Sequence, residues 1–256
     1  MAAKPSRKRV PAGRKSATTP PDARAIWKRL HRALPDPRCE LEHASAWQLV
    51  IATILSAQST DARVNRVTPG LFRRYPTPAA LGTADLGEVE DLVRSTGFFR
   101  NKAKAIVGAS RMVAERFGGE MPRMMEAAME LPGVARKTAN LVLGTAYGIA
   151  TGVIVDTHAG RVARRLGLTQ HEDPEKVERD LCAAFPSRDW IALGHSLVLH
   201  GRYVCTARDP ACSHCPLNEL CPGRGGPAEG ALEQRMRWEA ARIPHSQLPD
   251  GPPAQD

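Results

Sequence analysis

The sequence predicts an all-α protein whose short helices are joined by short loops. Two observations carry that prediction. Apolar residues recur at helical spacing from residue 23 to residue 199. The only β-like run is GVIV, residues 152–155, and it is four residues long. The predicted helices are 23–33, 45–57, 61–74, 86–95, 100–117, 124–130, 136–147, 157–166, 174–184 and 188–199.

Local chemistry supports these elements in turn. Ser45 stands before AWQLVIATIL as an N-cap, and Asp61 lies at the start of the helix that follows. MMEAAME (124–130) runs into Leu131-Pro132-Gly133, where Gly133 can take φ > 0 and turn the chain sharply. A new helix then starts near Arg136, which makes a helix–hairpin–helix. The backbone N–H groups of Gly133, Val134, Ala135 and Arg136 are expected unpaired at that start, where an anion is favoured. A DNA phosphate suits such a site, because contacts of this kind position a protein without reading sequence. The stretch LPGVARKTAN (131–140) is not a nucleotide phosphate loop. A loop lysine at 137 would need glycines where Leu131 and Arg136 stand. Later in the chain Pro174 falls in a first helical turn with Asp173 as its cap.

Bulk composition bounds the function. With 256 residues and 42% hydrophobic content, the chain can build one large or two modest domains with a real core. The longest apolar run, LVIATIL from Leu49, is far too short to span a membrane. The N-terminus lacks the apolar region of a secretory signal, so an intracellular protein is expected. Of the formal +9, six charges come from the first 20 residues, and the tail from Gly223 subtracts one. That leaves +4 on residues 21–222. A mildly basic body with a basic arm suits a nucleic-acid partner. The arm, residues 1–22, also reads as a solvated disordered segment, and residues 223–256 read as a flexible tail. Arg outnumbers Lys 28 to 8. That bias points to a GC-rich bacterial genome, hence to the bacterial cytoplasm and the nucleoid.

Four of the six cysteines fall in one loop. Cys205, Cys212, Cys215 and Cys221 are spaced C-x6-C-x2-C-x5-C. In an intracellular chain this density reads as a metal site rather than a disulfide framework. Zinc and an iron–sulfur cluster both fit four thiolates. The single C-x2-C favours a [4Fe–4S] cluster, since zinc ribbons usually pair two such knuckles.

Two residues could carry chemistry. Lys137 sits in the first turn after the hairpin, where the helix dipole and Arg136 disfavour its ammonium form. A neutral lysine can attack a sugar C1′ and form a Schiff base, which arginine cannot do. A surface lysine binding phosphate is the alternative. Asp156, in VIVDTHAGRVARRLGL, reads either as an N-cap or as a carboxylate that takes protons and stabilises positive charge on the sugar.

Taken together, LPGVARKTAN, VDTH (155–158) and the cysteine pattern resemble the endonuclease III family of DNA glycosylase/AP lyases. LSAQSTD (55–61), GFFRNKA (97–103) and LHGRYVC (199–205) add to the resemblance, which spans residues 24–222. It implies a six-helix domain over residues 39–149 that carries the hairpin. A second domain, from residues 23–38 and 150–222, would be closed by a [4Fe–4S] cluster on Cys205, Cys212, Cys215 and Cys221. The cleft between them would take a nucleotide flipped from damaged double-stranded DNA, and the protein would work as a monomer. Lys137 and Asp156 match the catalytic pair. Gln58 and Phe98 match the positions that fill the gap left by the flipped nucleotide, and Arg208 lies in a loop expected to grip DNA.

Three departures stand out. Ala135 replaces the last glycine of the usual Leu-Pro-Gly-Val-Gly hairpin. Asp209 lowers the positive charge of the loop TARDPA. Phe98 stands where an aliphatic residue is common, and an aromatic there could stack on bases. Two other functions compete. A monofunctional adenine-type glycosylase would lack the lysine and carry a further C-terminal domain. A non-enzymatic damaged-DNA binding module would not need both Lys137 and Asp156.

Overall fold

The computed structural model describes residues 22–224. The predicted arm and tail lie outside the described residues, apart from Asp22, Gly223 and Arg224. Eleven α-helices follow one another, with no strand among the described residues. They are α1 Ala23–Ala33, α2 Ala46–Ser56, α3 Asp61–Arg74, α4 Pro78–Gly82, α5 Leu86–Val93, α6 Phe99–Arg116, α7 Met125–Met129, α8 Arg136–Tyr147, α9 Thr157–Arg165, α10 Pro174–Ala184 and α11 Trp190–Tyr203. The helix α4 escapes the periodicity argument because five residues span little more than one turn. Its Thr77 cap, which accepts from the Ala80 N–H, and Pro78 at its start are the local signals that mark it.

Side-chain caps define most helix starts. Asp22, Ser45, Thr60, Thr77, Asp85, Asp156 and Asp173 each accept a backbone N–H in the first turn of the following helix. The helices α6, α7, α8 and α11 start without one.

Two apolar cores hold these helices. The larger gathers buried residues from Leu41 to Val142 around α2, which is buried at every position from Trp47 to Leu55 except Gln48. A helix apolar on all sides belongs at the centre of a bundle, and α3, α6 and α8 surround it. The second core joins Ile26 and Leu30 of α1 to residues between Val153 and Leu217. The GVIV run is buried here but forms no strand. Instead it lies against α11. A Cβ at Gly194 would come within 2.9 Å of the Ile154 backbone N, and one at Gly201 would come within 2.8 Å of the His158 Cβ. Those glycines let α11 approach the segment that leads into α9. Here α11 continues to Tyr203, beyond the predicted end at 199, because Gly201 is a packing position and not a stop.

Candidate active site and metal centre

The hairpin is built from backbone rather than side chains. Gly133 has φ +80, and a Cβ there would meet Ala105 at 3.0 Å, so glycine serves both the turn and the close fit. Ala135 takes the N-cap position of α8 at φ −97, a conformation open to any residue. No side chain caps α8, and Lys137 in its first turn is exposed. One expected donor is removed. The Val134 N–H closes the turn on the Leu131 carbonyl at 3.0 Å, and its side chain is buried, so it is not free for a phosphate. Lys137 is exposed and has no ion-pair partner among the described residues.

Arg136 has a role that the sequence did not reveal. Its guanidinium forks onto Glu178 of α10, with Nε and Nη2 each 2.9 Å from a carboxylate oxygen. The hydrogen bond to Glu178 holds the Arg136 pKa above its usual value, against the effect of burial. Glu178 also accepts from Asn140 Nδ2 at 2.9 Å, and Asn140 accepts from the Thr151 hydroxyl at 2.7 Å. A Cβ at Gly152 would sit 2.0 Å from Glu178 Oε1, so only glycine leaves room for that carboxylate. This network, buried at Glu178 and Asn140, ties the start of α8 to the segment that leads to Asp156.

Asp156 realises the capping role. Its Oδ1 accepts from the His158 and Ala159 N–H groups, both at 2.8 Å. The second oxygen, Oδ2, makes no hydrogen bond within the described residues, and the side chain is half-buried. The anchored oxygen orients the carboxylate while the other stays available. A cap and a functional carboxylate are therefore compatible in one residue.

Gln58 and Phe98 are both exposed, Phe98 to 65%. They are the only non-glycine residues at positive φ among the described residues, at 54° and 47°. Strained backbone of this kind persists only where the surroundings enforce it. The start of α3, three residues beyond Gln58, is tied to the end of α11. Arg202 bonds both Glu40 and Asp61, and the Tyr203 hydroxyl donates to Glu40. This ion-pair cluster joins LHGRYVC to LSAQSTD. Arg208 is exposed in the loop after Cys205, where the Thr206 hydroxyl donates to the Asp209 carbonyl at 2.5 Å.

All four predicted cysteines line one cavity, with Val162, Arg165, Leu166 and His200 in its wall. Burial pushes the Cys215 thiol up to about 12, and the Cys205, Cys221 and Cys212 thiols push it the same way. Four mutually repelling thiolates need a cationic centre to share. No group of three His, Cys, Asp or Glu among the described residues closes on a single metal ion. The four cysteines around one cavity are donors that zinc or an iron–sulfur cluster would take. Two arginines of α9 hold the loop in place. Arg165 Nη1 donates to the Thr206 carbonyl at 2.7 Å and lies 3.2 Å from Cys205 Sγ, and Arg161 Nε reaches the Cys205 carbonyl at 3.1 Å. Cys39 lies apart from this group, and burial pushes its thiol up to about 12. No helix of the described residues is long and apolar enough to cross a membrane.

Comparison with known proteins places these features in a family. Residues 51–187 match the HhH-GPD superfamily base excision DNA repair protein family, and residues 205–221 match the iron-sulfur binding domain of endonuclease III. The chain is 52% identical over 209 residues to endonuclease III of Synechocystis sp., covering 82% of this chain and 95% of the relative. It is 45% identical to the Bacillus subtilis endonuclease III, covering 73% and 85% of the two chains. A trapped endonuclease III–DNA covalent intermediate superposes with a TM-score of 0.74 at 41% identity, covering 78% of this chain and 94% of the other. A non-covalent endonuclease III–DNA complex gives the same TM-score at 40% identity, covering 84% and 96%.

Proposed function

The chain belongs to the endonuclease III family, and from that membership we propose that it is a base-excision-repair DNA N-glycosylase with AP lyase activity. Its substrates are oxidised pyrimidines in duplex DNA. Two observations carry the reading: an exposed Lys137 at an uncapped helix start, and a half-buried Asp156 with one oxygen anchored and one uncommitted.

The residues divide the work as follows. The N–H groups at the start of α8, with the turn at Gly133, receive a DNA phosphate. Gln58 and Phe98 enter the duplex where the damaged nucleotide has left it. The Lys137 amine attacks C1′, the base departs with the bonding pair, and an imine joins Lys137 to the opened sugar. Asp156 stabilises the positive charge that develops on the sugar and accepts a proton. Loss of a C2′ proton expels the 3′ phosphate, and water then hydrolyses the imine and frees the lysine. The two apolar cores are the two domains, residues 39–149 and residues 23–38 with 150–222, and the damaged nucleotide enters between them. Cys205, Cys212, Cys215 and Cys221 hold the [4Fe–4S] cluster, which staples the C-terminal loop. One chain is the working unit, and it acts on the bacterial nucleoid.

Borohydride trapping tests this function. Incubation with duplex DNA containing an oxidised pyrimidine or an abasic site yields a covalent adduct that disappears in Lys137→Ala. An adduct that survives in that variant means another nucleophile. Binding of abasic DNA without any adduct from the unaltered protein means a binding module.

A further inference from the structure

Lys102, in the first turns of α6, is a cation buried to 5% exposure with no carboxylate partner. Its Nζ donates to the Leu55 and Thr96 carbonyls, each at 2.8 Å. Burial alone lowers its pKa. Both carbonyls are ones that a helix leaves over at its end. Leu55 lies in the last turn of α2, and Thr96 ends the 3-10 turn Arg94–Thr96. Three residues past Leu55 stands Gln58, and two past Thr96 stands Phe98. These are the two strained, exposed residues described above. The Lys102 backbone N–H also donates to the Phe98 carbonyl at 3.1 Å. Arg63 of α3 adds a second tie to the same turn through the Ser95 carbonyl at 3.2 Å.

We propose that Lys102 is a positioning residue that clamps the Gln58 loop to the Phe98 loop and fixes the spacing of the two gap-filling side chains. The inference rests on the gap-filling reading of Gln58 and Phe98. The residue type fits the task. An ammonium donates in three directions from one atom, so it can sit between two carbonyls that converge. A guanidinium spreads its donors across a plane and needs more room. In a chain with 28 Arg and 8 Lys, this is a second place where lysine is used for what arginine cannot do.

The test separates flipping from chemistry. Each variant is assayed for excision of an oxidised pyrimidine from duplex DNA and for β-elimination at an abasic site in single-stranded DNA, which needs no gap filled. Lys102→Met is expected to lower the duplex-to-single-strand rate ratio by about tenfold to a hundredfold, the larger figure being the loss that a misplacement of about 1 Å can cause. Lys102→Gln, which keeps a donor, loses less. Should Lys102→Met not fold, the ratio for Lys102→Gln is still expected to fall below that of the unaltered protein. Equal losses on both substrates, or an unchanged ratio, overturn the proposal and leave Lys102 a stabilising residue. Gln58→Ala and Phe98→Ala, assayed alongside, should also lower the ratio. If they do not, the gap-filling reading fails and this inference fails with it. If they do while the Lys102 variants do not, only the clamp is lost.

Discussion

The starts of α8 and α9 differ in how their orphan N–H groups are satisfied. At α9, Asp156 supplies the anion from within, accepting two N–H groups on one oxygen. At α8, Ala135 supplies nothing, and the first turn is left for an anion from outside. Both ends carry the positive pole of a helix. One has been closed by sequence and holds a carboxylate still; the other has been left open beside a lysine. The contrast teaches that a missing cap gains meaning from the side chain beside it, since α6, α7 and α11 also start uncapped. Seven of the eleven helices here have a side-chain cap.

Four substitutions break or sharpen that contrast, taken from the largest expected effect. Lys137→Ala removes the nucleophile at the open end, and single-turnover excision should fall by roughly a thousandfold or more, as for other nucleophile deletions. Asp156→Asn keeps the closed end closed, because the amide oxygen can still cap α9, but it removes the charge. Turnover should fall by about 10²–10³ while affinity for damaged duplex in a gel-shift titration stays within about twofold. Unchanged turnover would reduce Asp156 to a cap alone. Arg136→Met strips the support behind the open end and leaves the buried Glu178 with Asn140 alone. Because Arg136 keeps 40% of its side chain exposed, the loss is discounted from a fully buried pair to about 2 kcal/mol, read as a lower denaturation midpoint in urea. Ala135→Gly restores the glycine that is usual in the family. Since φ there is already −97, gel-shift affinity for duplex should change by less than about threefold. A larger gain would show that the Ala135 methyl holds the DNA backbone away.

The sequence was legible wherever the controlling interaction is local. Caps at Ser45, Asp156 and Asp173, the Gly133 turn and the cysteine spacing all depend on neighbours within a few residues. What it hid was long-range. Nothing near Lys102 in GFFRNKA announces that α2 brings the Leu55 carbonyl, 47 residues away, onto it. Nothing near Arg136 in sequence announces that its side chain is held by Glu178 of α10, 42 residues on. Arg202 meets Glu40 and Asp61 across more than half of the described chain. The Val134 N–H was misjudged for the opposite reason. The four-residue turn from Leu131 to Val134 that consumes it is too short for periodicity to resolve.

The division of α1 from the rest of its core has a consequence for synthesis. Ile26 and Leu30 emerge early from the ribosome, yet the residues they pack against begin at Val153 and end at Leu217. At bacterial elongation rates, more than 120 residues amount to on the order of ten seconds of waiting. Over that interval the larger core can close around α2 while α1 trails as an unpaired amphipathic segment. A nascent chain halted after α8 should therefore shield the hairpin from protease and leave α1 open to cutting. Of the described helices, the one made first is among the last to find its place.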